Sequence, residues 1–124
     1  MNQTTVRFPT NQFRSIPSPI GESKIGVFFT PASTIPRDLW DWREVNPREI
    51  NRRSAVYRAI SQTLTQEPAR FHERNRGITL VAGDLNFDDK RREAVMQLRD
   101  RRLHGVVDGA HTLDAILEAQ RQPR

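Results

Sequence analysis

The residues best suited to chemistry stand near the C-terminal end, in the stretch HGVVDGAHTLDAILEAQ at positions 104–120. There Asp108, Gly109, His111 and Thr112 bring an acid, a flexible hinge, an imidazole and a hydroxyl together. An imidazole can contact a phosphate or move a proton, which makes His111 and Asp108 the catalytic candidates. A carboxylate such as Asp108 can hold magnesium or orient the imidazole. The Thr112 hydroxyl can donate to a phosphate oxygen, or Asp108 or Thr112 can simply cap a helix. Apolar Leu103, Val106 and Val107 before this word read as a buried strand. Leu113, Ala115, Ile116, Leu117 and Ala119 after it read as a helix. At such a strand–turn–helix junction the first helical N–H groups lack internal partners and favour an anion.

Three further clusters carry weaker signals. Asn75, Arg76 and Gly77 precede another strand-like run, where a glycine turn can form a second wall of an anion pocket or a plain helix-to-strand connection. Trp40 and Trp42 alternate with Arg43, Asn46 and Arg48, a mixture that can stack on bases. Packing of the tryptophans into a small core is the plainer reading. Arg52, Arg53 and Arg58 lie on a helix-like segment and are candidates for a nucleic-acid contact surface. Asp84, Asp88 and Asp89 fit an acid-rich turn better than a metal site. His72, His104 and His111 have no zinc-like spacing, and no phosphate-cradling G-x-x-x-x-G-K-[ST] loop is present.

Composition narrows the classes. The chain has 124 residues, a net charge of +5, 35% hydrophobic and 28% charged residues. Its mean hydropathy of -0.72 fits a soluble protein with one modest core. Lysine occurs only at Lys24 and Lys90, so nearly all positive charge is arginine, the better bidentate partner for phosphate. The arginines are nonetheless interspersed with acids, as on an ordinary solvated face. Cysteine is absent, which removes disulfides, thiol catalysis and cysteine-ligated zinc. No apolar run reaches the roughly 20 residues of a membrane span, and the N-terminus has no signal-peptide core. The cytoplasm is therefore the expected compartment, with no membrane partner.

The elements that must position these residues follow from periodicity. Residues 1–23 carry Pro9, Pro17 and Pro19 and read as an irregular N-terminal arm, followed by a single domain over 24–124. Residues 24–30 and 77–83 read as strands, 84–90 as a short extension or turn, and 92–98 as an alternating strand. Ile50, Val56, Ile60 and Leu64 mark a helix from about Glu49, with Asn51 or Ser54 as its cap and Pro68 near its end. The expected fold is α+β, a small mainly antiparallel or mixed sheet with two main helices.

Four words in order resemble the AIPR family of abortive-infection phage-resistance proteins: WREVNPR at 42–48, P-x-x-F at 68–71, NRGITLVA at 75–82 and HGVVDGAHTLDAI at 104–116. The resemblance covers about residues 35–119 and implies an N-terminal portion of a longer family architecture. DGAHT is also similar to the D-G-Q-H-R word of DndB-like proteins and, more distantly, to the ParB and sulfiredoxin superfamily. That likeness implies a ParB-like fold and a nucleotide-phosphate site at Asp108, Gly109 and His111. Thr112 stands where those families place arginine, and Arg76 is the residue expected to replace that charge.

The expectation is a phage-defence module with a phosphate- or nucleotide-binding pocket, walled by Asn75, Arg76 and Gly77 on one side and Asp108, Gly109, Ala110, His111 and Thr112 on the other. Magnesium accompanying the nucleotide is the one cofactor this suggests. No nucleophile–base pair is legible, so no hydrolytic step is assigned. The alternatives are a non-catalytic nucleic-acid-binding module and an interaction domain that assembles a homo-oligomer or a defence complex.

Overall fold

The computed structural model describes residues 3–121 and is α+β, with seven strands in three small antiparallel sheets and three α-helices among those residues. The largest sheet has the order β1 (Thr4–Pro9), β6 (Glu93–Leu98), β5 (Asp84–Asp88). Strict alternation gives it two faces. Val6 and Phe8 of β1 and Ala94, Met96 and Leu98 of β6 point to the core. Arg7, Glu93 and Asp88 meet as ion pairs on the opposite, outward face.

Two layers cover the apolar face. A hairpin of β2 (Phe13–Pro17) and β3 (Lys24–Phe28) closes one end through aromatic contacts. Phe28 lies 5.4 Å from Phe8, and Phe13 lies 5.4 Å from Phe87. At Gly26 an added Cβ would meet the tip of the Leu85 side chain, which would have to shift. Helix α3 (Ala110–Arg121) covers the other end, with Leu113, Ile116 and Leu117 in the core cluster. Short 3-10 turns at Ala32–Thr34 and Arg37–Asp41 add Ile35 and Leu39, and Trp42 is buried just after them.

Within the segment 1–23, expected to be an irregular arm, the described residues form strands at Thr4–Pro9 and Phe13–Pro17. Pro9 ends β1, and Pro17 ends β2, which among the described residues pairs only with β3. Edge and terminal positions are where a strand tolerates proline. Residues 84–90, read as an extension or turn, begin with strand β5. Leu103, read as part of a buried strand, is 63% exposed in the turn before β7 (Gly105–Asp108). Helix α1 spans Ala55–Gln66 and starts later than Glu49. Ser54 caps it, accepting from the Tyr57 N–H at 3.1 Å. Its buried face begins at Tyr57, while Val56 is 68% exposed. A short α2 (Phe71–Arg74) follows the turn at Pro68–Arg70.

β7 is the junction of the molecule. It pairs with β4 (Thr79–Val81) on one side. On its other side the Val106 N–H donates to the Trp42 carbonyl at 2.8 Å. Thr79 opposes Asp108 and Leu80 opposes Val106, so Val107 bulges from the ladder. Asn46 takes up the bulge, its Nδ2 donating to the Val107 carbonyl at 2.5 Å. No helix among the described residues is long and apolar enough to cross a membrane.

Phe8 is 2% exposed in the centre of the core. Phe8→Ala is expected to cost about 3–5 kcal/mol in a urea-unfolding experiment. A cost under about 0.5 kcal/mol, the usual surface value, would mean that β1 is not part of the core.

Candidate functional site

The structure brings the two expected walls together around one groove of about 840 Å³, lined by residues of 75–77 and 106–112 and by α1, with Phe71 beside them. The β4–β7 pairing makes this necessary, because residues 75–77 enter β4 and residues 109–112 leave β7 at the same edge. Asn75 ties the walls directly. Its Nδ2 lies 3.0 Å from the Thr112 hydroxyl oxygen, and its Oδ1 accepts from the Gly77 N–H at 2.7 Å. Gly109 has φ +93, and a Cβ there would lie 2.5 Å from the Gly77 carbonyl oxygen. Only glycine allows the two turns to touch.

These contacts redistribute the expected roles. Thr112 is buried and its hydroxyl lies against the Asn75 amide, so it ties the two walls together. The Gly77 N–H is taken by Asn75 and the Gly109 N–H by the Asp108 carboxylate at 3.0 Å. His111 and Thr112 lie inside the first turn of α3, which begins at Ala110. The remaining donors are the N–H groups of that first turn, Arg76, and Arg48 from the loop before α1, all lining the groove. Among the described residues neither arginine has a hydrogen-bonding or ion-pair partner, and both are exposed.

His111 is not oriented by Asp108. Its Nε2 accepts from the Asn51 backbone N–H at 3.2 Å, which leaves Nδ1 as the ring's N–H donor. Its ring meets Tyr57 edge-on at 6.3 Å. Tyr57 donates from its hydroxyl to Asp114 Oδ2 at 2.8 Å. Arg52, next to Asn51, forks onto the same carboxylate at 2.9 and 3.0 Å and reaches Glu118 at 3.2 Å. His111 is therefore held by a circuit closed on Asp114.

Asp114 and Tyr57 escaped the sequence reading. The available signal was a lone acid inside the apolar run from Leu113 to Leu117. A carboxylate on the buried face of a helix requires a charged partner. Burial raises the carboxyl pKa, but hydrogen bonds from Arg52 and Tyr57 and the Arg52 charge outweigh it, and the net shift is downward. Burial and the bond to Asp114 push the Tyr57 phenol up to about 12. Asp114 in turn raises the Arg52 pKa through its hydrogen bond and its charge. Arg52, expected on a nucleic-acid surface, is thus a structural cation, although its side chain is 55% exposed. Arg53 and Arg58 remain at the surface, with Arg58 bonded to the Arg53 carbonyl.

The other clusters resolve into packing. Trp42 is buried in the core and unavailable for stacking on a base. Trp40 packs against the core, and the Arg43 guanidinium lies 3.5 Å from its ring centroid. His104 Nδ1 accepts from the Arg99 N–H and organises a turn. Asp84 and Asp89 pair with Arg99 and Arg92, and Asp88 accepts from two turn N–H groups. Among the described residues no group of three or more side chains is arranged to hold a metal ion.

The Asp114 shift has a definite sign. A depressed carboxylate stabilises the fold above its ordinary value of 3.8 and loses that contribution as pH falls through the folded value. Asp114→Asn is expected to lower the thermal midpoint at neutral pH. The gap from wild type should narrow below about pH 4, where protonation of Asp114 removes the same charge. A gap that stays constant into the acid range would contradict the assignment.

No curated protein and no solved structure matches the chain. A family model described as AIPR protein matches residues 44–124, which takes in α1 to α3, β4 to β7 and both walls of the groove. The match starts after β1 to β3, although β1 is paired with β6 and contributes Val6 and Phe8 to the core. The chain belongs to the AIPR family, which connects it with phage defence by abortive infection.

Proposed function

We propose that the groove binds the phosphate end of a nucleotide and that this is the task of the module in phage defence. The observation that carries the reading is the set of unspent donors that line the groove. Arg48 and Arg76 contribute charge, the first turn of α3 contributes N–H groups, and His111 contributes Nδ1–H. The positive end of the 12-residue helix α3 adds to the attraction for an anion. The likeness of DGAHT to the D-G-Q-H-R word points the same way, with Arg76 supplying the charge that Thr112 lacks. Asp108 also lines this end, and its carboxylate offers a ligand to magnesium carried in by the nucleotide. A volume of about 840 Å³ falls in the ordinary range for small-molecule sites, about 300–1,000 Å³.

Non-catalytic nucleic-acid binding would rest on Arg53 and Arg58, since Arg52 is committed to Asp114. Assembly with other defence proteins is compatible with the fold, but no feature of the groove calls for it. The module's own residues would bind and orient a nucleotide, and no bond-breaking step is assigned to them.

Calorimetric titration of ribonucleoside triphosphates, with and without magnesium, tests the reading. Arg76→Ala and His111→Ala are each expected to weaken binding about tenfold, as loss of a charge-assisted contact does. Arg53→Glu with Arg58→Glu should leave it unchanged. Binding that survives both groove variants and disappears in the double glutamate would transfer the function to the arginine surface.

A further inference from the structure

The groove is much larger than a phosphate requires, and its two halves differ in chemistry. Besides the turns at 75–77 and 108–112, the lining includes Val56, Ala59, Ile60 and Thr63 of α1, with Phe71 of α2. Gln62, Glu67 and Arg74 edge the same wall. Glu67 and Arg74 form an ion pair at 2.5 Å, with both side chains about half exposed. This part therefore offers an aliphatic and aromatic surface bordered by donors and acceptors.

We infer that this half receives the nucleoside, so that the ligand lies with its phosphates toward α3 and its base against α1 and Phe71. The inference rests on the phosphate reading and adds the orientation and the wall that sets specificity. Size supports it, because about 840 Å³ accommodates a whole nucleotide. Polarity separates a base from an alkyl chain. Gln62, Thr63 and the Glu67–Arg74 pair already bond within the protein, and an acyl or alkyl chain laid along α1 would strip water from them without adding a hydrogen bond. A base presents an apolar face to Ala59 and Phe71 and donors and acceptors at its edge. The presence of both an acid and an arginine at that border suits the edge of a base better than a second phosphate, because Glu67 already balances the Arg74 charge.

The test compares inorganic pyrophosphate with ADP, GDP, CDP and UDP by titration calorimetry on the whole chain. These share a diphosphate and differ only by the nucleoside. At least one nucleoside diphosphate is expected to bind about tenfold tighter than pyrophosphate. Ala59→Trp should erase that advantage and leave pyrophosphate affinity unchanged. Ala59 is exposed, so the added ring fills the groove and not the core. Equal affinity for pyrophosphate and every nucleoside diphosphate would overturn the inference while keeping the phosphate site. A loss of pyrophosphate binding in Ala59→Trp equal to the loss of nucleotide binding would also overturn it. Absence of binding by pyrophosphate and nucleotides alike would overturn the phosphate reading itself.

Discussion

Asp114 sits on the buried face of α3, between Leu113 and Ala115, and a carboxylate there is tolerable only if it is paired. Arg52 and Tyr57 supply the pairing from the loop before α1 and from α1 itself. One charge thereby fixes three parts of the chain. It pins the N-terminal end of α1 on α3, holds Asn51 where its N–H meets His111, and places the Tyr57 ring against the imidazole. The groove between α1 and the α3 terminus keeps its shape because this acid cannot be left alone. Apolar packing of the same volume would also join the helices, but it would leave the tautomer and orientation of His111 unset.

The second constraint is steric. The turns at 75–77 and 108–110 touch backbone to backbone, and glycine at 109 is what permits it. Asn75 then satisfies both turns with one amide, bonding Gly77 and Thr112. The family words in this region therefore serve largely to hold two loops in register. WREVNPR does the same for the far side of β7, through the Trp42 carbonyl and the Asn46 side chain. The donors left over, on Arg48, Arg76 and the first turn of α3, surround the space that these contacts create.

Local signals explain what could be read from the sequence. The junction at 104–120 was legible because a strand, a turn pair and an amphipathic helix follow each other without interruption. The approach of 75–77 to this junction followed from two turns placed at the ends of two strands. The N-terminal strands were not legible, since Pro9 and Pro17 at strand ends and Pro19 in the turn after them read as an irregular arm. Arg52 read as surface because its partner lies 62 positions away. Of the apolar residues that mark α1, Val56 is exposed, because the aromatic Tyr57 beside it faces α3. Asp108 seemed the natural partner for His111 by proximity, yet the backbone N–H of Asn51, 60 positions away, performs that role.

The central claim is a location, the end of the groove where Arg76, His111 and the first turn of α3 converge. An NMR titration of isotopically labelled protein with inorganic phosphate would map it residue by residue. The account predicts that amide shifts concentrate at Arg76, Gly77 and Gly109 to Thr112, with small or no changes in β1 to β3. Saturable shifts confined to Arg53 and Arg58, to the Trp40 region or to the hairpin would contradict it.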